Sequence, residues 1–195
     1  MRVLAASAVA VVVFTVALGF GYPALMTGFA AVTLPGKATG SLVRRNGVVV
    51  GSTLAAQAFS GARWFHERPS ATTPAYDAAA TTFSNLGPTS PALVKLVRAN
   101  ARAILERERP YNPGLTIHDI PVDAVVPSGS GIDPEISPAY AHLQARRVAA
   151  VRHLPLSTVE TLITRNSSGR ALAFFGEPGV NVLTLNLALE KEHNR

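Results

Sequence analysis

The first part of the chain is marked by the absence of charge. Between Arg2 and Lys37 there is no charged side chain, and this gap opens with an apolar run from Val3 to Phe20. As an α-helix, those 18 residues would be about 27 Å long, close to a hydrocarbon thickness of about 30 Å. The pattern therefore predicts a transmembrane anchor over residues 1–36, followed by one soluble domain over residues 37–195.

A cleaved signal peptide is the alternative for this segment, with Arg2 as its positive end. However, the apolar character continues through Leu25, Phe29 and Val32, which is longer than a signal peptide needs. No small-x-small cleavage site followed by polar residues ends the run either. We therefore expect an uncleaved anchor. The chain has no cysteine, which excludes a lipoprotein, disulfides and thiolate chemistry.

Beyond the anchor, short-range signals alternate with irregular sequence. Leu42 to Gly51 is predicted to be a β-hairpin, because Asn46-Gly47 suits the two positive-φ positions of a type I′ turn. Ser52 to Phe59 is predicted to be a short helix. From Gly61 to Pro91, proline, glycine and serine interrupt the chain without a clear period, which indicates an irregular segment packed on the domain.

Three helices are predicted from their starting residues. Ser90-Pro91 and Ser137-Pro138 each combine a capping hydroxyl with a proline at the first helical position. A third helix is expected from Ser157, with Glu160 completing a capping box.

Two strands are predicted as well. Pro121 to Val126 forms one, and the other begins at Val180, where leucines at alternate positions continue to Leu189. Together these elements predict an α+β fold: a single N-terminal transmembrane helix followed by one mixed α/β soluble domain.

Charge adds a local feature. Charged residues make up only 15% of the chain, but residues 37–109 carry ten basic and four acidic side chains. No nucleic-acid-binding motif accompanies them, so a basic face toward anionic lipid or an acidic partner is the better interpretation. Lys37, Arg44 and Arg45 follow the anchor, and the positive-inside rule taken alone would place the domain in the cytoplasm.

Catalytic motifs are missing from the sequence. The run Ser128 to Gly131 is neither a hydrolase nucleophile elbow nor a phosphate-binding loop, and we interpret it as a tight loop before a capped helix. The histidines show no metal-binding spacing and are expected to be surface or hydrogen-bonded residues: His66, His118, His142, His153 and His193. A carboxylate pair drawn from Asp133, Glu135 and Glu177 would be conjecture.

Several stretches, in order, resemble the C subunit of the bacterial Kdp potassium-transporting P-type ATPase. They are GSTLAAQAF (51–59), WFHERPSA (64–71), SNLGP (84–88), PVDAVVPSGSGIDPEISP (121–138), QARRVA (144–149) and FFGEPGVNVLTLNLAL (174–189). The similarity covers essentially the whole chain, including the anchor with Tyr22-Pro23.

The resemblance implies a set of subunit-interface or structural residues rather than catalytic or metal-binding ones. These family-matched positions are Gln57, Phe65, Arg68, Pro69, Ser70, Asn85, Gly87, Pro88, Ser130, Gly131, Asp133, Gln144, Arg147, Glu177, Asn181 and Asn186.

The resemblance also implies partners and a location. A channel-like potassium-binding subunit and a catalytic P-type ATPase subunit would handle potassium and ATP, so no cofactor is expected on this chain. It would be an accessory subunit of the cell (inner) membrane, with an extracytoplasmic domain that assembles or stabilises the pump and assists ATP binding only indirectly. The alternatives are a membrane-anchored extracytoplasmic hydrolase and a scaffold module.

Overall fold

A computed structural model of the chain describes residues 1–170, 172 and 174–193. The chain separates into two compact units, Met1–Val50 and Gly51–Arg195. The predicted boundary between residues 36 and 37 separates the membrane anchor from the soluble domain, which is a different division from that between compact units. It stays a prediction.

The first unit is dominated by one long helix. It consists of α1 (Arg2–Phe14), a π-helical segment (Thr15–Gly21) and α2 (Tyr22–Thr33), and the short helix α3 (Pro35–Ala38) follows. The wider π turns come just before Pro23, whose ring has no N–H to offer a preceding carbonyl. Arg2–Thr33 is long and apolar enough to cross a membrane, and none of its side chains is buried. The predicted membrane-spanning helix is confirmed at this level.

The predicted hairpin is also present. Strands β1 (Leu42–Arg45) and β2 (Val48–Ser52) pair with each other. Asn46 and Gly47 have φ values of 50° and 80°, as the turn requires.

The chain after the hairpin does not form the predicted helix over Ser52 to Phe59. Ser52 instead pairs with Ala55 in an isolated bridge, and the amide of Ala56 donates to the carbonyl of Ile132 at 2.9 Å. A helix this short is only marginally stable by itself, so the amide of Ala56 bonds to the distant carbonyl of Ile132 instead of a carbonyl within a helix. The segment up to Ser90 is irregular, as predicted.

Four longer helices build the second unit. They are α4 (Pro91–Glu108), α6 (Pro138–Arg152), α7 (Leu156–Arg165) and α8 (Val182–His193). Ser137 caps α6 by accepting from the amide of Tyr140 at 3.0 Å. Ser90 precedes α4 without such a bond. The capping box expected at Ser157 is wrong, because α7 starts after Pro155 and Ser157 lies inside it.

The predicted strand over Pro121 to Val126 is wrong too. A 3₁₀ turn (Ile117–Asp119) and the short helix α5 (Val122–Val125) occupy this region. Asp123 of α5 accepts from the amide and hydroxyl of Ser137, each at 2.8 Å, so α5 is held against the start of α6.

A small antiparallel sheet completes the unit. Its strands are β3 (Glu135–Ile136), β4 (Ser167–Ser168) and β5 (Gly179–Asn181), in the order β3-β5-β4. Glu135 pairs with Asn181, and Ser167 with Val180. The fold class, a mixed helix-and-sheet domain after one apolar helix, is confirmed.

The largest correction concerns the end of the chain. Only Gly179–Asn181 forms a strand, and the leucine-rich stretch after it is helix α8. Val182, Leu185, Asn186 and Leu189 are all fully buried, a spacing of three and four residues that marks one face of a helix. The alternating leucines are compatible with a strand, but this second period is the one that packs.

The core lies between the helices and the sheet. Its fully buried apolar side chains include Phe65, Val148, Val159, Val180, Val182, Leu185 and Leu189. Phe65 is the only one of these from the irregular segment, so that segment has to be secured against α6 and α8.

Candidate functional site

Two buried side-chain amides hold the irregular segment. Asn186 on α8 accepts from the amide of Phe65 at 2.9 Å and donates to its carbonyl at 3.0 Å. Gln144 on α6 does the same for His66, at 2.8 and 3.0 Å. Each amide thus satisfies both backbone groups of one residue, as a neighbouring strand would.

Arg147 adds to this arrangement from the same face of α6. Its guanidinium donates to the carbonyls of Ala62 and Trp64, the latter at 2.9 Å, and to Gln144 Oε1 at 2.9 Å. Its Nε donates to Glu108 Oε1 at 2.9 Å, and neither side chain of this ion pair is exposed. We call Glu108, Gln144, Arg147 and Asn186 the polar clamp.

Burial and charge act in opposite directions in the clamp. Desolvation lowers the pKa of the Arg147 guanidinium, while the nearby Glu108 carboxylate favours its charged form. Glu108 Oε1 also accepts from Arg107 Nε at 2.9 Å. Two arginines therefore compensate one buried carboxylate.

His66 completes the contacts around Arg107. Arg107 can only donate, so Nδ1 of His66 accepts from it at 3.0 Å and Nε2–H donates to the carbonyl of Gly61 at 2.9 Å. Burial, followed by the charge of Arg107, lowers the pKa of His66 to about 4. His118, His142 and His153 are exposed; the side chain of His193 lies outside the described residues.

A second group joins the irregular segment to the loop before β3. Arg68 pairs with Asp133 at 2.9 Å, and the Ser70 hydroxyl donates to the carbonyl of Gly131 at 2.7 Å. The carbonyl of Pro69 accepts from the amide of Ser128 at 3.2 Å. Three consecutive family-matched residues thus meet one loop, which we call the glycine loop (residues 128–133).

Gly131 has a special place in the glycine loop. Its φ is +74°, and a Cβ there would lie 2.7 Å from both Thr72 Cγ2 and the Thr82 carbonyl oxygen. The exposed Ser130 hydroxyl accepts from the amide of Ile132 at 3.2 Å. The loop geometry therefore depends on glycine, whereas the serine makes one local bond.

Glu67 lies beside these groups, and sequence reasoning did not identify it. The residue is 5% exposed, and neither carboxylate oxygen has a hydrogen-bond partner among the described residues. Burial raises the pKa of Glu67 to about 9. The nearby backbone amide of Gln57 opposes this shift, although it is not hydrogen-bonded to the carboxylate, and the negative charge of Asp133 adds to it. Glu67 is therefore a neutral carboxylic acid at neutral pH.

The remaining family-matched residues divide between structure and surface. Asn181 caps α8, accepting from the amide of Thr184 at 3.1 Å, and donates to the carbonyl of Thr53 at 2.9 Å. Gln57 bonds within its own loop, to the carbonyl of Ala55 at 3.0 Å. The other matched positions of the irregular segment, Asn85, Gly87 and Pro88, lie outside the buried core.

Glu177 belongs to a different surface feature. It accepts two bonds from Arg170, at 3.0 and 2.9 Å. Within the sequence between these two residues, Leu172, Phe174 and Phe175 are exposed at 77, 68 and 59%. We call these three side chains the apolar loop.

Neither a catalytic carboxylate pair nor a metal site is found among the described residues. Asp133, one of the three carboxylates considered from the sequence, is paired with Arg68. Across the described part of the chain, no group of three or more histidine, aspartate or glutamate side chains is arranged to hold a metal ion. Family-matched residues thus mostly position the irregular segment, and burial of polar atoms is the signal that reveals them.

Comparison with known proteins gives a consistent result. The sequence model of the family described as "KdpC: K+-transporting ATPase, c chain" matches residues 4–191. The potassium-transporting ATPase KdpC subunit of Acidobacterium capsulatum is 47% identical over 182 residues, covering 93% of this chain and 94% of the relative.

Two further relatives carry the same description. The subunit of Methylobacterium nodulans is 48% identical over 192 residues, with 92% of each chain covered. That of Sorangium cellulosum is 49% identical over 183 residues, covering 93% of this chain and 94% of the relative.

Proposed function

Because the chain belongs to the KdpC family, that of the c chain of the K+-transporting ATPase, we propose that its soluble domain stabilises the assembled pump by docking the apolar loop onto another subunit. The family is that of a non-catalytic subunit with an accessory role in potassium transport. This family membership favours an accessory pump subunit over the two alternatives considered from the sequence, an extracytoplasmic hydrolase and a scaffold module.

The observation that carries this proposal is the apolar loop. Exposed phenylalanines are normal singly, but adjacent ones with a neighbouring leucine mark an interaction surface. The two rings are 4.2 Å apart, and the Arg170–Glu177 pair links the two sides of the segment. Aromatic side chains commonly dominate binding energy at such surfaces.

The proposed partners divide the chemistry among themselves. A channel-like subunit binds potassium, and a P-type subunit binds ATP and is phosphorylated. We place the soluble domain on the extracytoplasmic side of the inner membrane, so any effect on ATP binding acts through assembly or long-range coupling.

Docking is tested by the double substitution Phe174→Ser and Phe175→Ser in the complete complex. Loss of two aromatic side chains that docking would bury should lower the yield of copurified complex by roughly thirtyfold or more. Phe83→Ser is the matched control, because Phe83 is 55% exposed outside the apolar loop and its change should leave the yield intact. Equal yields for the double variant and the parent would overturn the proposal.

Orientation needs its own test. The natural chain lacks cysteine, so Arg165→Cys, on an exposed position of α7, provides a unique thiol. An impermeant maleimide should label it in intact cells with a permeable outer envelope. Labelling only after lysis would place the domain in the cytoplasm.

A further inference from the structure

The outer face of α4 carries three cations, Lys95, Arg98 and Arg102. Their spacing of three and four residues places them on one side of the helix. Their side chains form no hydrogen bond or ion pair with another described residue. They differ in this respect from Arg107, on the same helix, which is bonded to Glu108 and Tyr140.

Two adjoining surface depressions share Arg98 and Arg102. One, of about 660 Å³, is bordered by Lys95 and the apolar Val94, and the other, of about 780 Å³, reaches Arg109 and Ile117. Among the described residues, Glu106 is the only acidic one lining either of them. We call the two depressions the α4 groove.

We propose that the α4 groove binds the phosphate headgroups of anionic phospholipids in the bilayer that holds the N-terminal helix. The guanidinium groups of Arg98 and Arg102 match phosphate oxygens in charge and in fork geometry. Val94 and Ile117, exposed at 41 and 53%, supply the apolar contacts that an amphipathic lipid offers beside its headgroup.

Covalent attachment favours lipid over an acidic protein segment as the occupant. The Arg2–Thr33 helix is a candidate membrane span, so a bilayer surface is always present at high local concentration. Each basic side chain close to an anionic surface shifts the contact equilibrium by roughly fivefold. Removing Arg98 and Arg102 together should therefore weaken contact by about 25-fold.

The test uses the full chain in nanodiscs, whose two leaflets have the same composition, so the result does not depend on orientation. Ala99→Cys introduces a unique thiol on the rim of the α4 groove, and this position is labelled with an environment-sensitive fluorophore. Quenching by headgroup-labelled lipid is measured in phosphatidylcholine discs and in discs that also contain phosphatidylglycerol. Quenching should rise with phosphatidylglycerol and disappear in high salt.

Matched charge variants distinguish the α4 groove from general attraction. Arg98→Gln with Arg102→Gln should weaken the contact that depends on phosphatidylglycerol by about 25-fold. Arg146→Gln with Arg165→Gln removes the same charge from exposed positions of α6 and α7 and should retain it. Native fluorescence of Trp64, the only tryptophan, checks that each variant is folded.

Equal quenching in the two kinds of disc would overturn the proposal, as would equal losses in the two double variants. If the label is instead shielded from an aqueous quencher only when the other pump subunits are added, in discs without anionic lipid, the groove binds protein and the lipid proposal is wrong.

Discussion

Two buried carboxylates meet very different surroundings in this domain. Glu108 is fully buried, and its Oε1 accepts from Arg107 and Arg147, at 2.9 Å each. Glu67 is nearly as buried, but neither of its oxygens has a described hydrogen-bond partner. Two guanidinium groups therefore donate to one oxygen of the first carboxylate, although its Oε2 has no described partner, whereas burial raises the pKa of the second to about 9. Burial alone therefore does not determine what an acidic side chain does; the donors around it do.

The largest expected loss of stability comes from removing Arg147, the buried cation that pairs with Glu108. Arg147→Met should lower the free energy of unfolding by roughly 3–5 kcal/mol. The change removes one of the two cationic donors to Glu108 and leaves the carbonyls of Ala62 and Trp64 without the donor that Arg147 provides. Thermal or denaturant unfolding of the full chain in detergent, followed by Trp64 fluorescence, measures it.

Arg146→Met is the control for that change. It lies next in sequence but is exposed, so it should alter stability by less than about 0.5 kcal/mol. Similar losses for both variants would mean that the clamp contributes no more than a surface arginine.

The uncompensated carboxylate should reveal itself through pH. The pKa of Glu67 is about 9 in the folded state against an ordinary value of 4.5, so the folded protein holds its proton more tightly. Stability from this group is complete below about pH 4.5, declines as pH rises toward about 9, and is constant above that value. The slope is at most about 1.4 kcal/mol per pH unit.

Glu67→Gln removes this titration while keeping the shape. The variant should gain stability over the parent progressively from about pH 4.5 to about pH 9, the window set by the two pKa values. His66, with a pKa lowered to about 4, titrates in both proteins, so it cancels in the difference. Parallel stability curves across this range would show that Glu67 is not buried as an acid.

A smaller effect is expected from backbone geometry near Glu67. Gly131→Val places a β-branched residue at φ +74° against Thr72 and the Thr82 carbonyl, which should cost about 1–3 kcal/mol and lower the yield of the complex. Gly129→Val is the control, because a Cβ at Gly129 meets no described atom within 4 Å. Wild-type stability and yield for Gly131→Val would show that the loop rearranges freely.

The smallest effect should come from Ser130→Ala. Its hydroxyl makes one exposed local bond, to the amide of Ile132, so stability should change by no more than about 1 kcal/mol and most potassium-stimulated ATP hydrolysis should remain. Full complex yield with abolished turnover would instead identify Ser130 as a chemical residue.

Local signals in the sequence were sufficient for several elements. The uncharged run, the Asn46-Gly47 turn and the proline at the start of α4 and α6 each act through neighbouring residues, and each appears in the structure. The family resemblance likewise includes Gln144, Arg147 and Asn186 among its matched positions. None of these inferences needed a long-range contact.

Only the tertiary structure decided the rest. The stretch from Val182 to Leu189 satisfies two periods, and packing of Leu185, Asn186 and Leu189 into the core selects the helix. Asn186 reaches Phe65 across 121 positions of sequence, and Gln144 reaches His66 across 78. Periodicity shows which residues share one face of a helix, but it does not show which distant hydrogen-bond donors lie next to them. The presence or absence of such donors is the difference between Glu108 and Glu67.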